Sequence, residues 1–168
     1  MQELAKTLRR KLDNAERVAI LGIGSDLRGD DIAGISVVEQ TEKLTKSKTA
    51  LPQVKFFIGA TAPENLTGEI KRFQPSHLII IDSIYSNAPP GQVIVMDVPE
   101  IEKVSFFTHK LPIKLMIDYL LQFCKCRVII IGIQPKDIAV GSPVSKEVSG
   151  AVKNLSKTIA EILCKEKG

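Results

Sequence analysis

The sequence is poor in the residues that mark several specialised classes of protein. It has three cysteines, no tryptophan and only 5% aromatic residues in a chain of 168. The cysteines, two of them in the C-x-C pair Cys124 and Cys126, fit neither a disulfide framework nor a zinc ribbon, so we expect reduced thiols in the cytoplasm. The apolar runs are only a few residues long, whereas a membrane-spanning helix needs about 20. We therefore expect no membrane insertion and no exported, disulfide-rich fold.

A strong charge of either sign is also missing. Lys and Arg number 23 against 19 Asp and Glu, a formal net charge of +4. The densest basic stretch, Arg9-Arg10-Lys11, has no interleaved aromatic residues and is typical of a solvated helix face, so we expect no nucleic-acid partner. A hydrophobic content of 44% and a charged content of 25% are those of an ordinary globular protein. The length fits a single domain over residues 1–168, which we expect to be monomeric.

Hydrophobic runs and turn residues alternate in a way that predicts strands alternating with helices. The strongest run is "HLIIID", whose four consecutive apolar residues suit a strand covered on both faces of a parallel sheet. Predicted strands are Arg17–Ile23, Val54–Ile58, His77–Asp82, "GQVIVMDV" from Gly91, and Arg127–Ile133. Predicted helices lie near Glu3–Asn14, Asp30–Lys43, Glu64–Phe73, Pro112–Phe123 and Ser145–Lys165.

The fold expected from this order is α/β: a three-layer sandwich with a mostly parallel, twisted sheet of about five strands and helices on both faces. The link from Asp82 to the strand that starts at Gly91 is short and carries Pro89 and Pro90. A short link cannot cross over to a parallel neighbour, so we expect this fourth strand to be an antiparallel edge strand.

The stretch "GIGSDLRGDDIAG", from Gly22 to Gly34, invites comparison with phosphate-binding loops. Its third glycine does not have the G-x-G-x-x-G spacing, and no Gly-Lys-Ser/Thr motif occurs in the chain. Asp30 and Asp31 would also repel a pyrophosphate at a helix start. A nucleotide site is thus disfavoured, and helix capping by Asp30, with Asp31 in the first turn, is the simplest alternative.

Three side chains are expected to meet at one edge of the sheet. Asp31 follows the first strand and Asp82 ends the third, and the carboxyl ends of parallel strands share an edge where open α/β sheets bind ligands. His109 lies in the loop before the helix that starts near Pro112. Taken alone, each residue has a simpler interpretation. Asp82 could form a turn by hydrogen bonding to the backbone of Ser83 and Ile84, and His109 could be a polar surface residue. Together the three form an open site for a divalent metal such as zinc or nickel.

Four motifs carry a resemblance to a known family. "GIGSDLRGDDIAG", "GATAPEN", "HLIIIDSI" and "THKLP", in this order and spacing, are similar to the hydrogenase maturation proteases, and the resemblance spans nearly the whole chain. It is strongest to the branch with "GDD" and "APEN", which processes large subunits of hydrogen-evolving or formate-linked hydrogenases. The resemblance implies an endopeptidase, metal-dependent or of the aspartate type, that removes the C-terminal extension of a nickel-iron hydrogenase large-subunit precursor after nickel insertion.

The resemblance also implies roles for particular residues. Asp31, Asp82 and His109 take the three metal-contacting and catalytic positions, and Asp30 belongs to the first motif as a residue that orients the loop. Nickel is then supplied by the precursor, and the isolated protein is expected to hold no tightly bound metal. A non-catalytic chaperone for nickel or for the precursor is the alternative, although a sequence with two histidines offers few ligands for it.

Two departures from the family pattern concern the shape of the first loop. Ser25 stands where Asn is frequent, and Ile32 where glycine is frequent; a β-branched residue would tolerate a positive φ poorly. We also expect an apolar contact surface for a protein partner beside the site, with Phe106-Phe107 and Ile84-Tyr85 as candidates.

Overall fold

The computed structural model describes residues 2–46, 48, 53–103, 106–107 and 110–164, with the backbone alone at 101–103, 106–107 and 110–112. The strands are β1 Arg17–Ile23, β2 Gln53–Ala60, β3 His77–Tyr85, β4 Val93–Asp97, β5 Phe106–Phe107 and β6 Arg127–Ile133. The helices are α1 Gln2–Lys11, α2 Ala33–Thr45, α3 Thr67–Phe73, α4 Lys110–Phe123 and α5 Lys146–Leu163, with 3-10 turns at Gly29–Ile32, Pro63–Leu66 and Val98–Lys103.

The strands form one sheet with the order β2-β1-β3-β6-β4. β1 pairs in parallel with β2 and β3, and β3 pairs in parallel with β6, whereas β4 runs antiparallel to β6 at the end of the sheet. The predicted parallel sheet and its antiparallel edge strand are therefore confirmed. β5, a two-residue strand that pairs with β3, was not predicted because two residues carry no detectable alternation.

Helices cover both faces of this sheet, which confirms the three-layer sandwich. Alternate residues of β3 enter two separate cores. Ile79 and Ile81 pack with buried side chains of α1, α2 and α5 on one face. Ile80 and Ile84 pack with those of α3 and α4 on the other. The isoleucine-rich strand is thus buried on both sides, as its composition predicts.

Two predicted boundaries were wrong at the carboxyl edge of the sheet. β3 continues three residues past Asp82, to Tyr85, because Ile84 and Tyr85 pair with β5. The predicted helix from Asp30 begins instead as the 3-10 turn Gly29–Ile32, and α2 starts at Ala33. Elsewhere, the predicted helix near Glu64–Phe73 is divided into the 3-10 turn Pro63–Leu66 and α3.

Glycine brings the start of α2 directly onto the sheet. A Cβ atom added to Gly34 would lie 2.2 Å from the carbonyl oxygen of Ile81 and 2.3 Å from that of Ile23. Any side chain at Gly34 would therefore push α2 away from β1 and β3. This close approach fixes the turn that precedes α2 above the carboxyl ends of these two strands.

The three cysteines form no disulfide in the structure, in agreement with the reduced thiols that the sequence predicts. Cys124 is buried, Cys126 and Cys164 are partly exposed, and all three are free. The pKa of Cys126 is raised to about 11, mainly by burial and to a smaller extent by the neighbouring Cys124. Its thiol therefore stays protonated at neutral pH. In the described part of the chain, none of the helices has the length and apolar character needed to cross a bilayer.

His77 is a structural residue at the opposite end of β3 from Asp82. It is buried, and its Nδ1 atom lies 3.1 Å from the Ser76 hydroxyl. Burial, and then the charge of Arg127, hold its pKa below the ordinary value of 6.5. The folded state therefore disfavours the protonated ring. The stability associated with the neutral ring is fully present above the pKa of the unfolded state, and it is lost as the pH falls through that value towards the lower pKa of the folded state.

We accordingly expect His77→Asn to flatten the pH dependence of stability. Asparagine keeps a polar group near the Ser76 hydroxyl but does not ionise. Urea unfolding at about pH 7 and about pH 5 should show a smaller loss of unfolding free energy for the variant than for the wild type. The same loss in both proteins would contradict the assignment.

Candidate functional site

Asp30 is a fully buried carboxylate that joins two loops. Its side chain accepts hydrogen bonds from the backbone N–H groups of Lys136 (2.8 Å), Asp137 (3.2 Å) and Ser145 (2.7 Å). The Ser145 hydroxyl donates to it as well, at 2.9 Å. The carboxylate thus ties the turn before α2 to the loop between β6 and α5, and it holds Ser145, the N-cap residue of α5, in place.

This arrangement corrects the helix-capping interpretation. The residues that precede the 3-10 turn and α2, Arg28 and Ile32, make no side-chain capping bond, and Asp30 bonds to a distant loop instead of its own turn. Further hydrogen bonds join the same two loops. The backbone N–H of Asp30 donates to the Asp137 carbonyl at 3.0 Å, and that of Gly141 donates to the Leu27 carbonyl at 2.9 Å.

Asp31 is also fully buried, in the same 3-10 turn. The Ser25 backbone N–H donates to its carbonyl at 3.3 Å. Its carbonyl oxygen would lie 1.9 Å from a Cβ atom at Gly24, whose φ of +147° also favours glycine. Gly24 therefore lets the end of β1 lie against the backbone of Asp31, and this residue is fixed over the carboxyl edge of the sheet.

Asp82 lies within β3 and has no solvent exposure. Its Oδ1 atom accepts a hydrogen bond from the backbone N–H of Ser83 at 2.7 Å, one of the bonds that a turn former would make. The strand nevertheless continues, so the turn interpretation is wrong. Alternation places Asp82 on the face of Ile80 and Ile84, which is the face that α4 covers.

The turn that carries Asp31 lies against the strand that carries Asp82. The Ser83 hydroxyl donates to the Asp30 carbonyl at 2.9 Å, so the immediate neighbours of the two predicted ligands are in contact. His109, the third predicted ligand, lies outside the described residues. Among the residues that are described, no cluster of three or more His, Cys, Asp or Glu side chains has the arrangement of a metal site. The three-ligand site remains a prediction.

Tyr85 lies within the electrostatic influence of Asp31 and Asp137. The sequence predicted this residue only as part of an apolar contact surface. Its side chain is half-buried at the end of β3. Burial, followed by the negative charges of Asp137 and Asp31, raises its pKa above 10.0, while Arg28 acts in the opposite direction. The phenol therefore remains protonated and can donate a hydrogen bond at neutral pH. No local sequence pattern links Tyr85 to these groups, because strand alternation places it on the face opposite Asp82.

The two departures in the first loop cause no strain. Ile32 has a φ of −70°, which a β-branched residue adopts readily, so the expected conflict with positive φ does not arise. Ser25 is buried, and its hydroxyl accepts a hydrogen bond from the Leu27 backbone N–H at 3.3 Å. The hydroxyl thus replaces the turn-forming side-chain oxygen of asparagine.

The predicted contact surface is only partly present. Ile84 is fully buried and belongs to the core, so it is not available to a partner. The side chains of Phe106 and Phe107 lie outside the described residues, although their backbone pairs with Tyr85 and Ile84. Leu27 and Val140, which the sequence did not single out, are 68% and 79% exposed on the two loops that Asp30 joins.

The donor chemistry at this edge suits a divalent ion. Asp31 and Asp82 place fully buried carboxyl groups there. Oxygen donors of this kind, completed by an imidazole, are compatible with nickel or zinc. The chemistry of these two side chains is therefore compatible with a divalent ion.

Comparisons with known proteins identify hydrogenase maturation proteases as relatives of this chain. Residues 35–162 match the family model described as hydrogenase maturation protease; this range includes Asp82 and His109 and begins after Asp31. A protein of Methanocaldococcus jannaschii provisionally named as a hydrogenase maturation protease is 36% identical over 156 residues, 91% of this chain and 92% of the relative. The Escherichia coli hydrogenase 3 maturation protease is 28% identical over 137 residues, 81% and 84% of the two chains.

Solved structures give the same result. The crystal structure of a [NiFe] hydrogenase maturation protease from Thermococcus kodakarensis superposes with a TM-score of 0.83 at 29% identity, over 95% of this chain and 99% of that one. The crystal structure of a hydrogenase 3 maturation protease superposes with a TM-score of 0.70 at 28% identity, over 86% and 88%.

Proposed function

The chain belongs to the hydrogenase maturation protease family, and from that premise we propose that it removes the C-terminal extension of a nickel-iron hydrogenase large-subunit precursor. Cleavage follows nickel insertion, and the nickel of the precursor serves for recognition and catalysis. The protein substrate, in this proposal, brings the ion to a site that is incomplete without it.

One observation carries the proposal. Asp31 and Asp82 are two carboxylates with no solvent exposure at the carboxyl edge of one sheet, on segments whose neighbouring residues, Asp30 and Ser83, are hydrogen-bonded. Two acidic side chains at the edge where open α/β sheets bind ligands concentrate negative charge there, which favours an incoming cation.

The proposed roles follow from the chemistry of each side chain. Asp31 and Asp82 contact the nickel of the bound precursor, with His109 as the third contact. Nickel, when the precursor carries it, supplies activation of a carbonyl group and of water. One of the two carboxylates accepts the proton that the attacking water loses. Asp30 keeps the Asp31 turn in position through its bonds to the loop between β6 and α5.

The burial of both carboxylates has a consequence for binding. A protein substrate reaches fully buried side chains only if the structure opens locally as the substrate binds. Such opening adds a second requirement besides nickel, because a partner must supply enough contacts to compensate for the disrupted packing.

Nickel-loaded and nickel-free precursor provide the direct test. We expect the loaded form to lose mass equal to its C-terminal extension, and the nickel-free form to be cleaved about a hundredfold more slowly because it lacks the metal's stabilisation of the transition state. Mass spectrometry of the precursor with time measures both rates. Equal rates would refute nickel dependence, and binding without any mass loss would favour the non-catalytic chaperone.

A further inference from the structure

The outer edge of β4 is an unpaired strand edge. β4 is the last strand in the sheet order, and among the described residues no strand pairs with its outer side. The five residues Val93–Asp97 carry no charge before Asp97. Proteins usually protect such edges with charges, prolines or covering elements, because an open edge readily pairs with another extended chain.

The direction of the free backbone groups follows from one hydrogen bond. The Asp97 N–H donates to the Glu100 carboxylate at 2.7 Å and therefore points away from β6. Groups two residues apart in a strand point the same way, so Val95 and Val93 also direct their N–H and C=O groups outward. An extended peptide could pair with these groups.

A groove of about 820 Å³ lies beside this edge, between β4, α1 and α5. Leu4, Val93, Val95 and Ala151 supply apolar lining, and Gln92 and Asn154 supply polar groups. Glu147, one of its charged residues, is paired with Lys136 at 2.8 Å, which leaves Glu3 and Lys146 of opposite sign. The lining therefore suits a segment with little net charge and apolar side chains at alternate positions.

One end of the groove lies beside the loop that Asp30 joins to the Asp31 turn. Its lining includes Lys146 and Glu147, the residues that follow Ser145, and Ser145 donates two hydrogen bonds to Asp30. Gly91, at the start of β4, packs so closely on α5 that an added Cβ atom would lie 2.6 Å from the Glu147 carbonyl oxygen. A segment in the groove thus runs towards the loop that holds the Asp31 turn.

We propose that an extended, largely uncharged stretch of the precursor's C-terminal region binds as an added strand on the outer edge of β4, with alternate side chains in this groove. The proposal rests on the proposed function, because it takes the hydrogenase precursor as the substrate. Strand addition combines backbone hydrogen bonds with burial of alternate side chains; the outer edge of β4 offers the first, and the groove offers space for the second. A second copy of this chain is a weaker occupant: stable interfaces use roughly 20–30 residues a side, and this strand has five.

Gly150 offers a test that does not disturb the fold. It lies on α5 in the lining of the groove, and an added Cβ atom meets nothing within 4 Å. Gly150→Arg fills the groove, whereas Gly150→Ala makes the same gain in helix propensity and leaves it open. In the Asp31→Asn background, in which we expect cleavage to be slow enough for binding to be measured, Gly150→Arg should raise the Kd for the nickel-loaded precursor about tenfold or more and Gly150→Ala should leave it unchanged.

A second pair of variants tests backbone pairing. Val95→Pro removes an outward N–H from the edge of β4, and Val54→Pro makes the same change on β2, the opposite edge. Val54→Pro is a close control for Val95→Pro, because both valines are partly buried against the same core. The Gln53 N–H points towards β1, since it donates to the Glu16 carbonyl, and the Val54 N–H therefore points outward. Only Val95→Pro should raise the Kd.

The outcomes separate the two proposals. An equal Kd for Gly150→Arg and Gly150→Ala overturns strand addition, whether or not the wild type cleaves. A wild type that leaves the nickel-loaded precursor intact overturns the proposed function, and the Kd comparison still decides on the groove. If the free protein sediments as a dimer that Gly150→Arg dissociates, the groove belongs to a second copy and the proposal is wrong.

Discussion

Replacing Asp31 or Asp82 by asparagine is expected to slow cleavage of the nickel-loaded precursor by about a thousandfold or more. The amide has nearly the same shape as the carboxylate, but it is neutral, a poor ligand for a divalent ion and unable to accept the proton of an attacking water. His109→Ala should have a comparable effect if the imidazole is the third contact. The measurement is the rate of mass loss of the precursor.

The fold should survive these substitutions. Both aspartates are fully buried, and an isosteric neutral group avoids the cost of burying a charge. Thermal unfolding followed by circular dichroism should show a midpoint close to that of the wild type. Asp118→Asn, at an exposed position of α4, makes the same chemical change away from the site and should leave the rate unaltered. Cleavage by Asp31→Asn or Asp82→Asn at the wild-type rate would remove that residue from the proposed site.

Much of the sheet is predictable because its signals are local and strong. β1 and β6 have the bounds that their apolar runs predict, and both are buried on two faces by covering helices. The antiparallel direction of β4 follows from the short, proline-containing link before it. In each case chain connectivity and burial act on the same residues, so the local pattern and the final structure agree.

The carboxyl edge of the sheet was predicted less accurately, because distant contacts decide it. β3 extends to Tyr85 only because β5 pairs with it, and β5 is too short to leave a periodic pattern. The 3-10 turn at Asp30 likewise depends on hydrogen bonds to residues more than a hundred positions away. An acidic residue in a first helical turn has the same sequence pattern whether it caps its own helix or binds another loop.

The proximity of the segments that carry Asp31 and Asp82 could be inferred from the parallel topology alone. Their complete burial could not, because it depends on the packing of side chains from several elements. The same limit applies to Tyr85, whose relation to Asp31 and Asp137 arises from three separate segments. Topology thus predicts where a site lies, and packing determines the environment in which its groups act.

Asp30→Ala is expected to destabilise the protein by about 3–5 kcal/mol, because several donors lose a buried carboxylate acceptor at once. The alanine would leave the backbone N–H groups of Lys136, Asp137 and Ser145 without their acceptor, and the Ser145 hydroxyl as well. The loop between β6 and α5 would separate from the turn that carries Asp31. Urea unfolding measures the free energy.

Ser145→Ala is the matched comparison, because it removes one hydroxyl donor and the N-cap of α5 while the carboxylate keeps its three backbone donors. Its cost should be about 1 kcal/mol, as for the loss of an N-cap. Asp30→Ala should also slow cleavage at temperatures where the variant is folded, since the Asp31 turn loses its support. An Asp30→Ala protein as stable as Ser145→Ala would show that the loop is held by its other contacts and that Asp30 does not position the site.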